Sequence, residues 1–178
     1  MIGPRLIGLG MAIFIVCAGP TSARGQASWS RKVQVDAMTD DSIRLVSTTT
    51  DDGYEFAVYR VAHGRVWARF TVPDASADVI AQDRLLVYRI DAGEPFDLGA
   101  QLRIQRYLPN PTIQSEPKWV NFVMWHGEGS EIGKALRDMA SGKKLLVRYF
   151  VFTGGSRDIS FSLGGFGDAL RWLLQRDS

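Results

Sequence analysis

One cysteine and two histidines are all the thiol and imidazole carried by 178 residues. The cysteine, Cys17, lies in an N-terminal apolar stretch, so the rest of the chain is thiol-free. Disulfide stapling, thiolate metal sites and a cysteine nucleophile are thereby excluded together. Imidazole chemistry is restricted to His63 and His126, and neither has the H-x-H or H-x-x-x-H spacing that supplies a second metal ligand. Hydrolase signatures are absent too: Ser162, followed by Leu163-Gly164-Gly165, is not a G-x-S-x-G nucleophile elbow. Asp40-Asp41 and Asp51-Asp52 lack the D-x-D-x-D-G pattern of a calcium loop, and adjacency does not show the converging carboxyls that glycosidase chemistry needs. No internal repeat or low-complexity tract interrupts the chain.

The apolar run from Leu6 to Ala18, behind Arg5, is 13 residues, shorter than the ~20 of a spanning helix, and small polar residues follow it. That is the pattern of an export signal. Thr21-Ser22-Ala23 and Gly25-Gln26-Ala27 both fit the small-x-small cleavage rule; the second divides the chain into a signal peptide, 1–27, and one domain, 28–178. Phe14, Ile15 and Val16 ahead of Cys17 lack the small residue that lipid attachment requires. The expected location is periplasmic or secreted, with no stable membrane span after cleavage. Cleavage also changes the charge. Of 21 basic residues Arg5 and Arg24 leave and no acidic one does, so 19 basic face 19 acidic residues. The pI near 8.8 is a property of the precursor and gives no argument for nucleic acid or an anionic membrane as partner.

The remaining residues, in a chain 46% apolar overall, suffice for one ordinary core. The lead from Ser28 to about Lys32 is polar and reads as loose. Tyr54–Ala62 and Val66–Val72 read as a hairpin around His63-Gly64, and Leu85–Ile90 with Phe96–Leu98 as a second, with glycine at the positive-φ position of the turn. Gln101–Tyr107 alternates Leu102 and Ile104 with Arg103 and Gln105, as a strand would. Pro109, Pro111 and Pro117 argue against regular pairing between Leu108 and Lys118. Trp119–Trp125 and Lys144–Phe152 are nearly continuous in aromatic and β-branched residues, as in strands covered on both faces. Ile159–Leu163 alternates with serines and has one wet face. Two helices are predicted. One carries Ile132, Ala135, Leu136 and Met139 at helical spacing, with Ser130 as cap and Gly142 at its stop. The other runs from about Phe166 to Gln175. The fold class is mainly β: an antiparallel β-sandwich or rolled sheet with two short helices, one C-terminal.

Gly127-Glu128-Gly129-Ser130-Glu131-Ile132-Gly133, between a strand and a helix, superficially resembles a dinucleotide turn. Its third glycine is one residue late, Glu128 and Glu131 put negative charge where a pyrophosphate would sit, and no acid follows for the ribose. Gly164-Gly165-Phe166-Gly167 reads as the sharp turn into the terminal helix. No catalytic, cofactor or metal residue is therefore assigned. The candidates for binding are His126, Glu128, Trp125 and Trp67. His126 ends a tryptophan-rich strand beside Glu128, where acid–base chemistry can be arranged, although neighbours on a strand point to opposite faces. The wider aromatic set, Trp67, Trp119, Trp125 and Trp172 with Tyr59, Tyr88 and Tyr107, either fills the core or lines a groove.

Two stretches carry a resemblance. Ala135-Leu136 through Lys143-Lys144-Leu145-Leu146-Val147-Arg148-Tyr149, continuing into Ser160-Phe161-Ser162-Leu163-Gly164-Gly165-Phe166-Gly167-Asp168-Ala169-Leu170, resembles the C-terminal half of small exported bacterial proteins of the type VI secretion-associated TagO family and of the invasion-associated locus B family. Leu86-Val87-Tyr88-Arg89-Ile90-Asp91-Ala92-Gly93 is similar to a further motif of the first. The resemblance implies a noncatalytic periplasmic β-sandwich that acts by protein contact, and it transfers no catalytic residue. The expectation is an envelope accessory protein whose sheet surface meets an envelope protein partner, of undefined oligomeric state. The alternative is a small-ligand binder or hydrolase using the His126 end of the sheet.

Overall fold

A computed structural model describes residues 29–35, 42–61, 64–105, 112–127 and 131–175. It contains two antiparallel sheets. In the first, β1 (Ser30–Val35), β2 (Ser42–Thr49), β3 (Glu55–Arg60), β4 (Val66–Thr71), β8 (Trp119–Trp125) and β7 (Ile113–Glu116) lie side by side in that order. In the second the order is β10 (Ser156–Ser162), β9 (Lys144–Phe150), β5 (Leu86–Ile90) and β6 (Phe96–Asp97). The described residues also form three helices: α1 (Leu98–Gln105), α2 (Lys134–Ser141) and α3 (Phe166–Leu174). None of the described helices is long and apolar enough to cross a membrane.

Alternation assigns the faces. Val46, Phe56, Val58, Ala68, Phe70, Val120 and Phe122 project from the first sheet, and Leu86, Tyr88, Leu145, Val147, Tyr149 and Phe161 from the second, into one shared core. Aromatic rings form the seam. Phe56 meets Phe161 with centroids 5.7 Å apart, Phe70 meets Tyr149 at 5.4 Å, and Tyr88 stacks on Phe122 at 5.3 Å. Such pairs add about 0.5–1.5 kcal/mol beyond their burial. The crossover between the sheets, residues 72–85, is held by Lys118, whose Nζ donates to the carbonyls of Ser76 (2.6 Å) and Asp78 (3.0 Å).

The terminal helix closes one end. Phe166, Ala169, Leu170 and Leu173 are its buried stripe, as the spacing predicts, and it lies against α2, β2 and β3. Its free C-terminal carbonyls are met by guanidinium groups: Arg44 donates to Trp172 O (3.0 Å), and Arg60 to Leu174 O (3.3 Å) and Gln175 O (3.2 Å). These contacts satisfy orphan acceptors and set positive charge at the negative end of the helix dipole. At the other end Gly165, with φ +81°, makes the turn into the helix. Beside it Trp29 packs on Phe166 with centroids 4.6 Å apart and donates from Nε1 to Ser162 O at 3.2 Å.

Several expectations are corrected. Among the described residues there are three helices, not two: Leu98–Gln105 is helical where the alternation predicts a strand from Gln101. Asp97 Oδ1 accepts the Ala100 N–H at 2.9 Å, an N-cap that starts the helix, and Leu98 and Leu102, four apart, both turn to the core. The supposedly loose lead is the edge strand β1, recruited by its backbone pairing with β2 while the side chains of Ser30 to Gln34 stay exposed. Ile113–Glu116 pairs with β8 despite the prolines, which flank this edge strand instead of interrupting it. β9 is covered on one face only, with Lys144 and Arg148 exposed on the other, and β10 begins at Ser156, three residues early. In the β5–β6 turn, Asp91 and not glycine takes the left-handed conformation, at φ +48°. Gly142 does end α2, with extended dihedrals; a Cβ there would meet Ile90 Cγ2 and Asp138 O, both at 2.8 Å. The Ser130 cap, Ala62, His63 and Tyr107 lie outside the described residues.

Candidate functional site

Among the four candidate binding residues, Trp67 is the one that leads to a cluster. In β4 it alternates with the core-facing Val66 and Ala68, and it therefore projects from the outer face of the six-stranded sheet, where its ring is largely buried. Cross-strand pairing places Tyr59 of β3 and Val123 of β8 directly beside it. Two residues on, Arg69 lies opposite Asn121 and donates from Nε to Asn121 Oδ1 at 2.7 Å. The same guanidinium sits 4.8 Å over the Trp119 ring and 5.9 Å from the Tyr59 ring. Trp67, Tyr59, Arg69, Asn121 and Trp119 thus share one face across three neighbouring strands.

The electrostatics follow from that geometry. Burial pushes the Tyr59 hydroxyl above its ordinary pKa, and the charge of Arg69 and its hydrogen bond to that hydroxyl pull it partly back. Asn121 is 3% exposed, yet its amide oxygen is satisfied by Arg69, so the guanidinium is fixed by a buried partner and held between aromatic rings. A positioned arginine loses less conformational freedom when a partner arrives. The cluster offers cation, π-face and amide on a rigid sheet; it offers no nucleophile paired with a base.

The other candidates separate from it. Trp125 is partly buried and packs against the core cluster near α2, where a Cβ on Gly133 would lie 3.4 Å from its own Cβ. His126 is exposed just beyond the end of β8. Glu128 lies outside the described residues, so the proposed His126–Glu128 pairing has no geometry to report. The closing of that corner is a backbone matter: Gly127, at φ +80°, packs so closely on Gly64 that a Cβ would lie 2.7 Å from its carbonyl carbon. Among the described residues no three His, Cys, Asp or Glu side chains come together to hold a metal.

The remaining aromatics divide accordingly. Trp172 packs on the core with Arg44 5.5 Å over its ring. Tyr149, fully buried, donates to Asp78 Oδ2 at 2.7 Å and lies 3.2 Å from the Tyr54 hydroxyl, while Arg157 Nε is 3.3 Å from the same carboxylate oxygen. Burial and both hydrogen-bond partners hold the Tyr149 proton far above the usual tyrosine range. This network ties the crossover to the second sheet and is complete within itself. On the outer face of that sheet, Arg148 and Asp158 form a two-point pair at 2.6 and 2.7 Å that lowers the pKa of the carboxyl and raises that of the guanidinium.

Arg69 and Asn121 were not singled out from the sequence. The signal was present: each lies two residues from a tryptophan in the same strand, Trp67 and Trp119, and therefore on the same face. Comparison of the chain with protein-family models, with curated proteins and with solved structures gives no match.

Proposed function

We propose that this chain is an exported cell-envelope protein, delivered to the periplasm by residues 1–27, which acts without catalysis by holding another envelope protein on the outer face of its six-stranded sheet. The observation that carries the reading is Arg69, fixed by the buried Asn121 and stacked over Trp119 beside Tyr59 and Trp67. Tryptophan, tyrosine and arginine dominate the energetics of protein interfaces, and here they are ordered before any partner binds. The signal-like N-terminus and the resemblance to the two exported families support the compartment.

Two measurements test it. The full chain with a C-terminal tag, expressed in a bacterium, is fractionated and its mass determined. The expected species is periplasmic and begins at Ser28; a cytoplasmic, uncleaved chain overturns the export reading. A photo-crosslinking residue is then placed at Tyr59, and a control at Ser160 on the other sheet's outer face. The expected result is a discrete protein adduct from position 59 only, abolished by Arg69→Ala combined with Trp119→Ala. Identical adducts from both positions, or none from either, overturn the contact reading.

A further inference from the structure

A cleft lies away from the Arg69 cluster, at the β5–β6 hairpin. The hairpin and α2 enclose about 740 Å³, within the ordinary range for small-molecule sites. Tyr88 forms its floor. The residue is 7% exposed, with its ring between Phe122 and Phe96, centroids 5.3 Å away on each side. Yet its hydroxyl has no hydrogen-bond partner among the described residues. No fully buried side-chain polar atom among the described residues is left without a partner, so this oxygen reaches solvent; it lines the cleft, close enough to Asp138 to feel its charge.

The walls specify that partner's charge. Asp91, Glu94 and Asp138 line the cleft against one cation, Lys134. Lys134 is tied to Asp138 at 2.5 Å as its own i,i+4 neighbour, with its side chain 82% exposed, so it sits at the solvent side of the helix. Asp91 is anchored: its carboxylate accepts the backbone N–H groups of Lys143 and Lys144 at 2.9 to 3.2 Å. Glu94 is exposed on the turn and has no ion pair among the described residues. Phe96, 42% exposed, adds an apolar wall that water covers poorly. An anion would meet three carboxylates; Asp138 and Asp91 already have donors of their own, so the charge left for a ligand to answer is chiefly that of Glu94.

We infer that this cleft binds a small organic cation, a protonated amine on an apolar body, with the ammonium between Glu94, Asp138 and the Tyr88 hydroxyl and the body against Phe96. The hydroxyl oxygen accepts from the ammonium, and the aromatic faces add cation–π attraction. No bond is made or broken.

The test is calorimetric titration of the protein with 2-phenylethylamine, and with 2-phenylethanol and phenylacetate as shape-matched neutral and anionic controls. The amine is expected to bind at least ~10-fold more tightly than either control, and its affinity should fall as salt is raised. Glu94→Gln with Asp138→Asn, both exposed or half-exposed positions, is expected to reduce amine affinity by a further ~10-fold while circular dichroism is unchanged. Equal binding of amine and alcohol, no heat from the amine at about 10 mM, or full amine affinity in the double variant each overturns the inference. Crosslinking at Tyr59 is unaffected by any of these outcomes.

Discussion

The unpartnered hydroxyl of Tyr88 makes stability at high pH depend on one oxygen atom. Burial first, and then the negative charge of Asp138, push its pKa up to about 12 from the ordinary 10. In the unfolded chain the phenol ionises near pH 10; in the folded chain it holds its proton about two units longer. The folded state therefore binds more protons over this interval, and the contribution is intact below pH 10 and lost as pH rises toward 12. By pH 11 the loss approaches a factor of ten in the folding equilibrium, on the order of 1 kcal/mol. Tyr88→Phe deletes only the hydroxyl. Because that group has no partner, the variant should match wild type at pH 7 to within about 0.5 kcal/mol, and should exceed it by about 1 kcal/mol at pH 11. The assay is urea unfolding followed by tryptophan fluorescence at pH 7, 9, 10 and 11. Every other titrating group is common to both proteins and cancels in the difference. A constant difference across the series would refute the placement of Tyr88 in a desolvated, acid-flanked floor.

Three further substitutions test the fold. Gly99→Ala should lower stability by about 2 kcal/mol in the same urea assay, because its Cβ would lie 2.4 Å from the Arg84 carbonyl oxygen; helix propensity alone predicts a gain of about 1 kcal/mol, so the sign decides. Asp97→Ala removes the cap of α1 and should cost about 1 kcal/mol, with faster amide exchange confined to residues 98–102. Arg44→Ala together with Arg60→Ala leaves the last carbonyls of α3 without guanidinium donors; a loss of about 2 kcal/mol is expected, with amide exchange in 170–174 accelerated more than in β9.

The legible parts of the fold were those where burial writes a period into the sequence. The terminal helix shows its stripe of Phe166, Ala169, Leu170 and Leu173, and the β3–β4 hairpin its aromatic and β-branched runs, because each presents a face to the core. β1 was illegible for the converse reason: all its described side chains but Trp29 just before it are exposed, and backbone pairing leaves no mark in residue type. At Leu98–Gln105 two periods competed. Leu102 and Ile104 suggested alternation, while the deciding signals were the Asp97 cap and the 98–102 spacing, which only becomes apolar on both members once the helix is docked. The site was half legible. Tryptophan enrichment marked the strands, but the division between Trp67 outside and Trp125 inside follows a register irregularity next to Val66, which residue types do not announce. The cleft was beyond reach, since it joins a hairpin to a helix some 40 residues later in the chain.

The seat of Trp29 beside α3 has a kinetic side. Its indole donates to a carbonyl 133 residues away, and Arg44 reaches one 128 residues away, so the first strands and the last helix complete one another. Contacts of such long separation repay their loop-closure entropy only late, so this end of the fold is expected to close after the local hairpins. Until residues 166–174 have emerged from the ribosome, Trp29 has no ring to pack on and the core has no lid. A growing chain of this sequence therefore stays open to whatever machinery must handle it unfolded.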